Sequence, residues 1–376
     1  MEIDFLSKIL MLSFLIISNI YFFYFFTTNN YYLKVNFLRE IAKEFNENGK
    51  INLNEVELRI MKNNNSNISN IINQVIHIGF TLNSKYILET MITITSIMAT
   101  QKNSTKIIFH LGVVHNFTAQ NMTKIYELRK KINNLTEFNF YYLKGAMKKM
   151  KNFHPKGEAC PGKFELPELL PDYIVKLLLF DAGDVLIFRD LSELYNYDMK
   201  NFWVLGPPEP HGIYLNRKYS NNSKYVNIGS ILLNVKALKE IHFWDIYTNN
   251  RKKKCFGMPD QSLFNILVPD NKKNYFPFRF GGLMPFESDN DSDILKYFSY
   301  GFKYWINSKL SESFPENPKT LDGMTAQLYN SHFIHQWNGK WYNGKGLSLF
   351  RLLAKYFIKL AGIWEEVCLK KPGYCK

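Results

Sequence analysis

Residues 180–196 read FDAGDVLIFRDLSELYN, and this stretch indicates the fold of the chain. The apolar run Leu177–Phe180 ends abruptly at two carboxylates, Asp181 and Asp184. A short continuous apolar run of this kind is typical of a buried parallel strand. In open α/β sheets, ligands bind in the crevice outside the carboxyl ends of the strands. We therefore expect Asp181 and Asp184 to face a ligand-binding crevice.

Two interpretations of these carboxylates follow from the residues alone. Carboxylate oxygens are hard ligands, so Asp181 and Asp184 together suit Mg²⁺ or Mn²⁺ carrying a diphosphate. Alternatively, both are loop residues that cap the next helix, because Asp190-Leu191-Ser192-Glu193 is typical of a helix start. The spacing does not decide between these interpretations.

Strand and helix patterns alternate on the amino-terminal side of this stretch. They recur in steps of roughly 30 residues, which is typical of a parallel sheet wound in a Rossmann-like way. The predicted strands are 75–80, 106–111, 137–143 and 177–180, and the predicted helices are 85–100 and 119–131. Further strands are predicted at 202–206, 230–233 and 331–336, with a helix at 259–268. The predicted fold class is therefore α/β, with a mostly parallel sheet flanked by helices.

The N-terminus carries an uncharged apolar run at residues 9–26. Eighteen residues with a helical rise of ~1.5 Å span roughly the hydrocarbon core of a bilayer. A cleavable signal peptide is the alternative, but Tyr21–Thr27 offers no run of small residues for cleavage. We favour an uncleaved transmembrane signal anchor.

Asparagine sequons and cysteines predict that the body of the chain lies in the lumen of the secretory pathway. Many asparagines of the chain begin an Asn-x-Ser/Thr triplet. Among them are Asn64, Asn67, Asn103, Asn116, Asn121, Asn134 and Asn221. The four cysteines, Cys160, Cys255, Cys368 and Cys375, are compatible with one or two disulfides in an oxidising compartment. We expect a single-pass type II protein of the Golgi or ER membrane.

The expected organisation has five parts. A short cytoplasmic tail (1–8) precedes the anchor (9–26), an Asn/Ser-rich stem (27–73) and a folded domain (74–346). The last part, 347–376, contains an amphipathic helix at Leu347–Val367. We expect this helix to pack on the body with a basic, solvated face; contact with a membrane surface is the alternative.

The chain carries 47 Lys and Arg against 33 Asp and Glu, a net charge of +14. Such a field attracts polyanions, including nucleotide diphosphates, anionic lipid and nucleic acid. The sequence contains no zinc-finger spacing and no RNA-binding motif, so we expect no nucleic-acid partner.

Five ordered segments between Gln74 and about Trp341 resemble glycosyltransferase family 8. A loop that follows the first strand comes first, and a segment that resembles a leucine-rich helix beginning with a lysine precedes the carboxylate stretch. An Asn-Ile-Gly run, an Asp-Gln pair and a late histidine complete the resemblance. The segments are Thr81–Tyr86, Lys163–Pro171, Asp181–Asn196, Tyr225–Gly229 and Pro259–Gln261, followed by His335.

The resemblance implies a GT-A fold and transfer of a sugar from a UDP-sugar with retention at the anomeric carbon, assisted by Mn²⁺ or Mg²⁺. The acceptor would be a glycan, a glycoprotein or a glycolipid. The implied metal ligands are Asp181, Asp184 and His335. The implied donor-binding residues are Thr81, Asn83, Tyr86, Lys163, Gly229, Gly339 and Lys340. The implied catalytic residues around the donor sugar are Asp260, Gln261 and Asn227.

The chain departs from the family pattern in two places. The usual metal motif is Asp-x-Asp, whereas Asp181-Ala182-Gly183-Asp184 is one residue longer. We expect Gly183 to absorb the extra residue, because glycine adopts backbone conformations that other residues avoid. The closing motif, His335–Trp341, has altered spacing and no proline. Lys340 is its expected diphosphate ligand, and Lys345 is the alternative.

Several of these residues also have a structural interpretation. Lys163 would be a surface lysine at a helix start, Asp260 a helix cap, and His335 a core histidine. Asn227 and Gly229 would form a strand bulge. Two further histidines, His77 and His110, are expected in the core or at strand ends without a chemical role.

The function expected from the sequence is a retaining, metal-assisted glycosyltransferase. A nucleotide-sugar phosphodiester hydrolase is less well supported, because it would need a second metal cluster or a nucleophile, and the sequence indicates neither. The other alternative is a catalytically inactive lumenal protein that binds a nucleotide sugar or a glycan. The longer carboxylate motif and the irregular His335 segment favour that alternative.

Overall fold

The computed structural model describes the chain in twelve segments. They are residues 74–102, 104–132, 135–151, 153, 157–187, 189–209, 222–253, 259–277, 280–284, 333–336, 354–355 and 357–370. The chain divides into two compact units, Met1–Ile68 and Ser69–Lys376, and every described residue lies in the second.

In the described residues, ten strands form two sheets. The strands are β1 (Gln74–Leu82), β2 (Thr105–Val113), β3 (Thr136–Tyr142), β4 (Lys176–Phe180), β5 (Val185–Ile187), β6 (Val204–Gly206), β7 (Ser230–Asn234), β8 (Lys273–Tyr275), β9 (Gly281–Met284) and β10 (Phe333–Gln336). The larger sheet has the order β3-β2-β1-β4-β7-β6-β8. Strands β1 to β4 run parallel, whereas β7 is antiparallel to both of its neighbours, β4 and β6.

A smaller sheet has the order β5-β10-β9. Strand β10 is antiparallel to β5, with His335 opposite Val185, and parallel to β9. This pairing brings a residue from late in the chain beside the segment that follows β4.

Helices connect most of these strands. They are α1 (Ile87–Thr100), α2 (Ala119–Lys131), α3 (Lys144–Lys149), α4 (Ala159–Gly162), α5 (Leu166–Leu169), α6 (Ser192–Tyr195), α7 (Val235–Glu240), α8 (Phe243–Asn249), α9 (Pro259–Leu267) and α10 (Trp364–Lys370). A short 3-10 turn at Ser84–Tyr86 precedes α1. The predicted fold class is therefore confirmed for the described residues: a mixed α/β fold with a mostly parallel seven-stranded sheet and flanking helices.

Helix α1 is buried on all sides. Its sequence, ILETMITITSIMAT, has no charged residue except Glu89, and the polar residues are mostly threonine and serine. A helix that is apolar around its whole circumference must lie inside the protein. The small hydroxyl side chains can enter that interior because each can hydrogen-bond to nearby backbone.

Aromatic packing fixes the segment that contains Lys163. The next residue, Phe164, is 1% exposed. Its ring stacks on Phe264 of α9 with centroids 4.6 Å apart, and it also contacts Tyr247 of α8 at 4.7 Å. Such pairs add to the free energy of burying the rings themselves. These ring contacts thus join α8 and α9 to the segment after α4.

Two expected helices differ from the structure. Residues 163–171 do not form one helix: α4 ends at Gly162 and α5 begins at Leu166, with Pro167 in its first turn. Proline lacks the N–H that a continuing helix needs, so it favours a new helix start. The helix expected at Leu347–Val367 is interrupted at Gly362, whose φ of 68° lies in the left-handed region that ends helices.

The predicted anchor and stem, residues 9–26 and 27–73, lie outside the described residues. Within the part of the chain that the structure describes, no helix has the length and apolar character required to cross a membrane. Cys368 is disulfide-bonded. Two other cysteines, Cys255 and Cys375, are not among the described residues.

Candidate active site

The carboxyl ends of β1 and β4 meet the start of β7 at one edge of the large sheet. Phe180, the last residue of β4, pairs with Ser230, the first residue of the antiparallel strand β7. The backbone N–H of Asp181 donates to the carbonyl of Gly229 at 2.7 Å. Asp181 and Gly229 therefore lie side by side at the edge where α/β sheets bind ligands.

Lys163 lies between two carboxylates at this edge. Its Nζ is 2.8 Å from Asp181 Oδ1 and 3.9 Å from Asp260 Oδ2. Lys163 is 3% exposed, so its interpretation as a surface lysine is wrong. Burial lowers the pKa of Lys163, but the charges of Asp181 and Asp260 raise it by more, so the amine is a cation at neutral pH.

The carboxyl group of Asp181 is ionised for the reciprocal reason. Burial raises its pKa, whereas the charges of Lys163 and His335 lower it by more, and the net pKa lies below the ordinary value. Because 35% of this side chain remains exposed, it can still contact a ligand in the crevice.

Gly229 allows Asp181 and His335 to approach each other. A Cβ atom placed on Gly229 would lie 2.1 Å from His335 Cε1, 2.9 Å from its Nδ1 and 2.8 Å from Asp181 Oδ2. A carboxylate oxygen and an imidazole nitrogen thus converge on one point above a residue without a side chain. This donor pair fits Mn²⁺ or Mg²⁺, and two protein ligands leave coordination positions for phosphate oxygens.

Asp184 lies in the turn between β4 and β5. Gly183 adopts φ 81°, and a Cβ on it would lie 2.2 Å from Glu89 Cβ in α1. Glycine therefore accommodates the extra residue of the motif both by conformation and by size. Among the described residues, however, no group of three or more His, Cys, Asp or Glu side chains is arranged to hold a metal. The structure brings Asp181 and His335 together and does not bring Asp184 into the same ligand group.

The turn also decides the capping interpretation of the two aspartates. Strand β5 separates Asp181 and Asp184 from the next helix, α6. The aspartate that contacts the start of this helix is Asp190, two residues before it, whose Oδ1 accepts a hydrogen bond from Ser192 N at 2.8 Å. The interpretation of Asp181 and Asp184 as caps is therefore wrong.

Two amide side chains face the same crevice. Asn227 Oδ1 accepts from Gly229 N at 2.8 Å, and Gln261 Oε1 accepts from Ile228 N at 3.1 Å. Both residues are buried, as is Asp260, in the first turn of α9. Because a backbone N–H can only donate, each amide oxygen must point towards the backbone of residues 228–229. The two NH₂ groups therefore point the other way.

Glu209, which the sequence analysis did not select, receives both NH₂ groups. Asn227 Nδ2 donates to Glu209 Oε2 at 3.0 Å, and Gln261 Nε2 donates to the same oxygen at 2.5 Å. Burial raises the pKa of Glu209 above its ordinary value, and the two hydrogen bonds offset part of that rise. The only signal in the sequence is an acidic residue directly after a predicted strand, in Pro207-Pro208-Glu209.

The residues predicted to bind the nucleoside follow β1. Strand β1 runs parallel to β4, so Thr81 and the residues after it lie towards the edge that carries Asp181. Asn83 is buried, and its Oδ1 caps the 3-10 turn by accepting from Lys85 N at 3.0 Å. Tyr86, half-buried, ends that turn. Asn83 therefore has a structural role in addition to the predicted one.

The remaining predicted residues divide into two groups. Gly339 and Lys340, with the alternative Lys345, lie outside the described residues. His77 and His110 lie in β1 and β2, where His77 Nδ1 is 2.9 Å from His110 Nε2 and His110 Nδ1 is 3.1 Å from the hydroxyl of Tyr141. They form a hydrogen-bonded chain across three strands.

The fold resembles several glycosyltransferases of known structure. The apo structure of WbbM, a bifunctional glycosyltransferase, aligns with a TM-score of 0.59 at 17% identity, over 82% of this chain and 52% of WbbM. This chain thus spans about half the length of WbbM. The galactosyltransferase LgtC, in complex with donor and acceptor sugar analogues, aligns with a TM-score of 0.53 at 16% identity, over 76% of this chain and 95% of LgtC. GlyE of Streptococcus pneumoniae TIGR4 gives 0.50 at 14% identity, over 79% and 64%.

At these identities the similarity shows the GT-A-like fold alone. No curated protein sequence is similar enough to count as a match. The model of the family described as glycosyl transferase family 8 matches residues 77–294, which include Asp181, Asn227 and Asp260. Because that match covers more than half of the length of the chain, the chain belongs to glycosyl transferase family 8.

Proposed function

We propose that the chain transfers a hexose or pentose from a UDP-sugar to a glycan, protein or lipid acceptor, with retention at the anomeric carbon. The observation that carries this proposal is the grouping of Lys163, Asp181 and Asp260 at the carboxyl edge of the sheet, in a chain of family 8.

The diphosphate of the donor would bind between Lys163 and the pair of Asp181 and His335. The Lys163 ammonium would neutralise part of the charge that develops on the leaving UDP. Asp181 and His335 would hold Mn²⁺ or Mg²⁺, which supplies Lewis-acid stabilisation of that leaving group. Gly229 leaves room for these ligands because any side chain there would fill the point on which they converge.

The donor sugar would lie against Asp260, Gln261 and Asn227. The Asp260 carboxylate would stabilise oxocarbenium character at the anomeric carbon, as carboxylates do in glycosidases. A glutamine also belongs to the active site of LgtC. On the nucleoside side, Thr81, Asn83 and Tyr86 would contact uridine, and Gly339 and Lys340 would bind the diphosphate.

Retention would follow from attack on the face that UDP leaves. The bond from the anomeric carbon to the UDP oxygen breaks, the bond to the acceptor oxygen forms on the same face, and the acceptor proton passes to the departing phosphate oxygen. Asp260 already neighbours the Lys163 ammonium, which reduces its nucleophilicity. A glycosyl group trapped on Asp260 would contradict this route.

The apolar run at 9–26 and the sequons support a location for the proposed activity. We place the catalytic domain in the lumen of the Golgi or ER, behind a type II membrane anchor. The stem (27–73) would let the domain reach acceptors along the membrane.

A catalytically inactive binding protein is the second candidate. The observation that favours it is the separation of Asp184 from the Asp181 and His335 pair. Such a protein would bind UDP or a glycan at the same crevice and would transfer no sugar.

The test is Mn²⁺-dependent release of UDP by the full chain from a panel of UDP-sugars. We expect release with one donor, lost on chelation and in Asp181→Asn and Asp184→Ala. Asp172→Asn is the matched control, because this carboxylate is 98% exposed and pairs only with Lys239 among the described residues. UDP binding without release from any donor, even with added acceptor glycans, would favour the inactive protein. An absence of Mn²⁺-dependent UDP binding would contradict the metal site.

A further inference from the structure

A threonine of α1 contacts the backbone on both sides of Asp184. Thr93 Oγ1 accepts a hydrogen bond from Gly183 N at 3.2 Å and donates one to the Val185 carbonyl at 2.9 Å. The hydroxyl therefore bridges the residues before and after Asp184. Thr93 is fully buried, so water does not compete for these two bonds.

The hydroxyl makes this contact instead of its usual one. A threonine inside a helix ordinarily donates to the carbonyl four residues earlier. For Thr93 that acceptor is the Glu89 carbonyl, 3.4 Å away, whereas the Val185 carbonyl is 2.9 Å away. A hydroxyl has one proton to donate, and the shorter distance assigns it to Val185.

Two further side chains from α1 and its end extend the same contact. Ser96 Oγ accepts from Ile187 N at 3.1 Å, and Gln101 Oε1 accepts from Leu191 N at 2.9 Å. Together with Thr93, these side chains accept from three backbone N–H groups of residues 183–191. On the other edge, β5 pairs with β10. Side chains of a buried helix thus occupy the edge where a neighbouring strand would otherwise hydrogen-bond.

The extra residue of the carboxylate motif packs on the same helix. The α position of Gly183 lies so close to Glu89 that a Cβ would overlap it, at 2.2 Å. The close contact between Gly183 and Glu89, together with the two hydrogen bonds of Thr93, restricts the backbone conformation of the Gly183–Val185 turn. Helix α1 therefore holds the backbone on both sides of Asp184.

We propose that Thr93 is the positioning residue for Asp184, and that this contact is how the chain accommodates a carboxylate motif one residue longer than Asp-x-Asp. The proposal rests on the proposed function, because it takes Asp184, which lies outside the ligand pair of Asp181 and His335, to act on the bound metal and diphosphate from the outer shell of that pair. Thr93 itself contacts neither; it acts through the backbone of the turn.

The chain offers a closely matched control. Thr95 lies in the same helix and is also fully buried, but its hydroxyl makes no hydrogen bond within the described residues. Thr93→Val and Thr95→Val remove the same hydroxyl from the same helix. Thr93→Ser keeps the hydroxyl and removes a methyl group.

The first measurement is hydrogen exchange of the full chain, followed by mass spectrometry of peptides that cover residues 181–187. A hydrogen bond of ordinary strength corresponds to about a tenfold change in exchange rate. We expect Thr93→Val to accelerate exchange in this segment by about tenfold, and we expect Thr93→Ser and Thr95→Val to leave it close to the parent rate. Equal exchange in Thr93→Val and Thr95→Val would overturn the contact.

The second measurement is calorimetric affinity for UDP with and without Mn²⁺. We expect Thr93→Val to weaken the Mn²⁺-dependent part by roughly 10-fold to 100-fold, as loss of an outer-shell contact does, and Thr93→Ser to restore it. In an Asp184→Ala background, Thr93→Val should add nothing, because both changes remove the same contribution. An unchanged affinity in Thr93→Val, or a full additional loss in the double variant, would overturn the positioning role.

These readouts separate two failures. If the parent chain binds no UDP with Mn²⁺, the proposed function and the role of Asp184 both fail, whatever the exchange data show. If the parent binds UDP and Thr93→Val accelerates exchange without weakening that binding, only the positioning role fails.

Discussion

At the scale of single residues, the candidate site depends on one position that has no side chain. Gly229 lies where the Asp181 oxygen and the His335 ring converge, and a Cβ atom placed on it would be within 2.9 Å of three of their atoms. The sequence indicates a glycine there but not its reason, because the two neighbours come from segments far apart in the chain.

Gly229→Ala should therefore disturb the site more than its small size suggests. The new methyl group would overlap His335 and Asp181, and overpacking of this kind typically costs about 1–3 kcal/mol of unfolding free energy. We expect a lower melting temperature and loss of Mn²⁺-dependent UDP binding, measured by calorimetry. Full UDP affinity in this variant would contradict the placement of the metal between Asp181 and His335.

Glu209 gives a second prediction at this scale, because both NH₂ groups converge on one of its oxygens. In Glu209→Gln the remaining carbonyl oxygen can accept both hydrogen bonds, whereas in Glu209→Leu the two buried donors lose their acceptor. An unsatisfied buried donor costs about 1–3 kcal/mol. We expect the leucine variant to unfold more easily and to lose preference for a UDP-sugar over UDP, and the glutamine variant to retain most of both.

The control for this series is Glu165→Gln. Glu165 is equally buried. Its carboxylate accepts hydrogen bonds from the backbone N–H groups of Gly145 and Ala146, which are not residues of the site. Its variant should change stability without changing the ratio of UDP-sugar affinity to UDP affinity. A parallel loss of that ratio in Glu165→Gln would mean that the effect is one of general stability.

The sequence predicted which residues belong to the site more readily than it predicted which of them contact one another. Motif order selected Asp181, Lys163 and Asp260, and the structure brings these three together. Motif order could not select Glu209, which lies in no motif. It also could not show that Asp184 and His335 belong to different groups of side chains. Those relations depend on distances between segments that only the folded chain defines.

At the scale of elements, hydrophobic patterning predicted the parallel strands β1 to β4 and helices α1, α2 and α9 closely. These are long or strongly apolar, so periodicity identifies them. The family resemblance implies one helix over 163–171, whereas in the structure α4 ends at Gly162 and a separate short helix begins at Leu166, with Pro167 in its first turn.

The strands also carry a pH-sensitive contact, the His77, His110 and Tyr141 chain. Burial and the neighbouring His77 lower the pKa of His110 to about 3, and burial lowers that of His77. Between pH about 6.5 and 3 the unfolded chain therefore binds more protons than the folded one. The free energy of unfolding should fall as the pH drops below about 6.5, by up to about 1.4 kcal/mol per pH unit for His110, with His77 contributing in the same direction.

Chemical denaturation between pH 7.5 and 5 checks this prediction in a range where most carboxyl groups stay ionised. In His110→Gln the slope should be smaller, because one histidine no longer titrates. His115 is exposed and serves as the control through His115→Gln. An identical slope in the parent and in His110→Gln would show that this contact does not carry the acid sensitivity.

At the scale of the whole molecule, the N-terminal run predicts where the protein resides. The full chain should stay with membranes through alkaline extraction, and a chain without residues 1–26 should not, because a continuous apolar segment of this length partitions into the bilayer. Expression in a eukaryotic cell with endoglycosidase digestion adds a second readout, with Asn116 as an exposed sequon in a turn. A full chain that is extracted without detergent would contradict the anchor.

The pairing of β10 with β5 has a consequence for biosynthesis. His335 reaches Asp181 only when residues 333–336 add to a sheet whose other members were translated much earlier. Because domains form from the N-terminal side during synthesis, the nascent polypeptide spends an interval with its larger sheet assembled and its crevice incomplete. A ribosome that stops before residue 333 would thus release a product that can fold in large part but lacks the imidazole. Activity would then report that translation had reached β10.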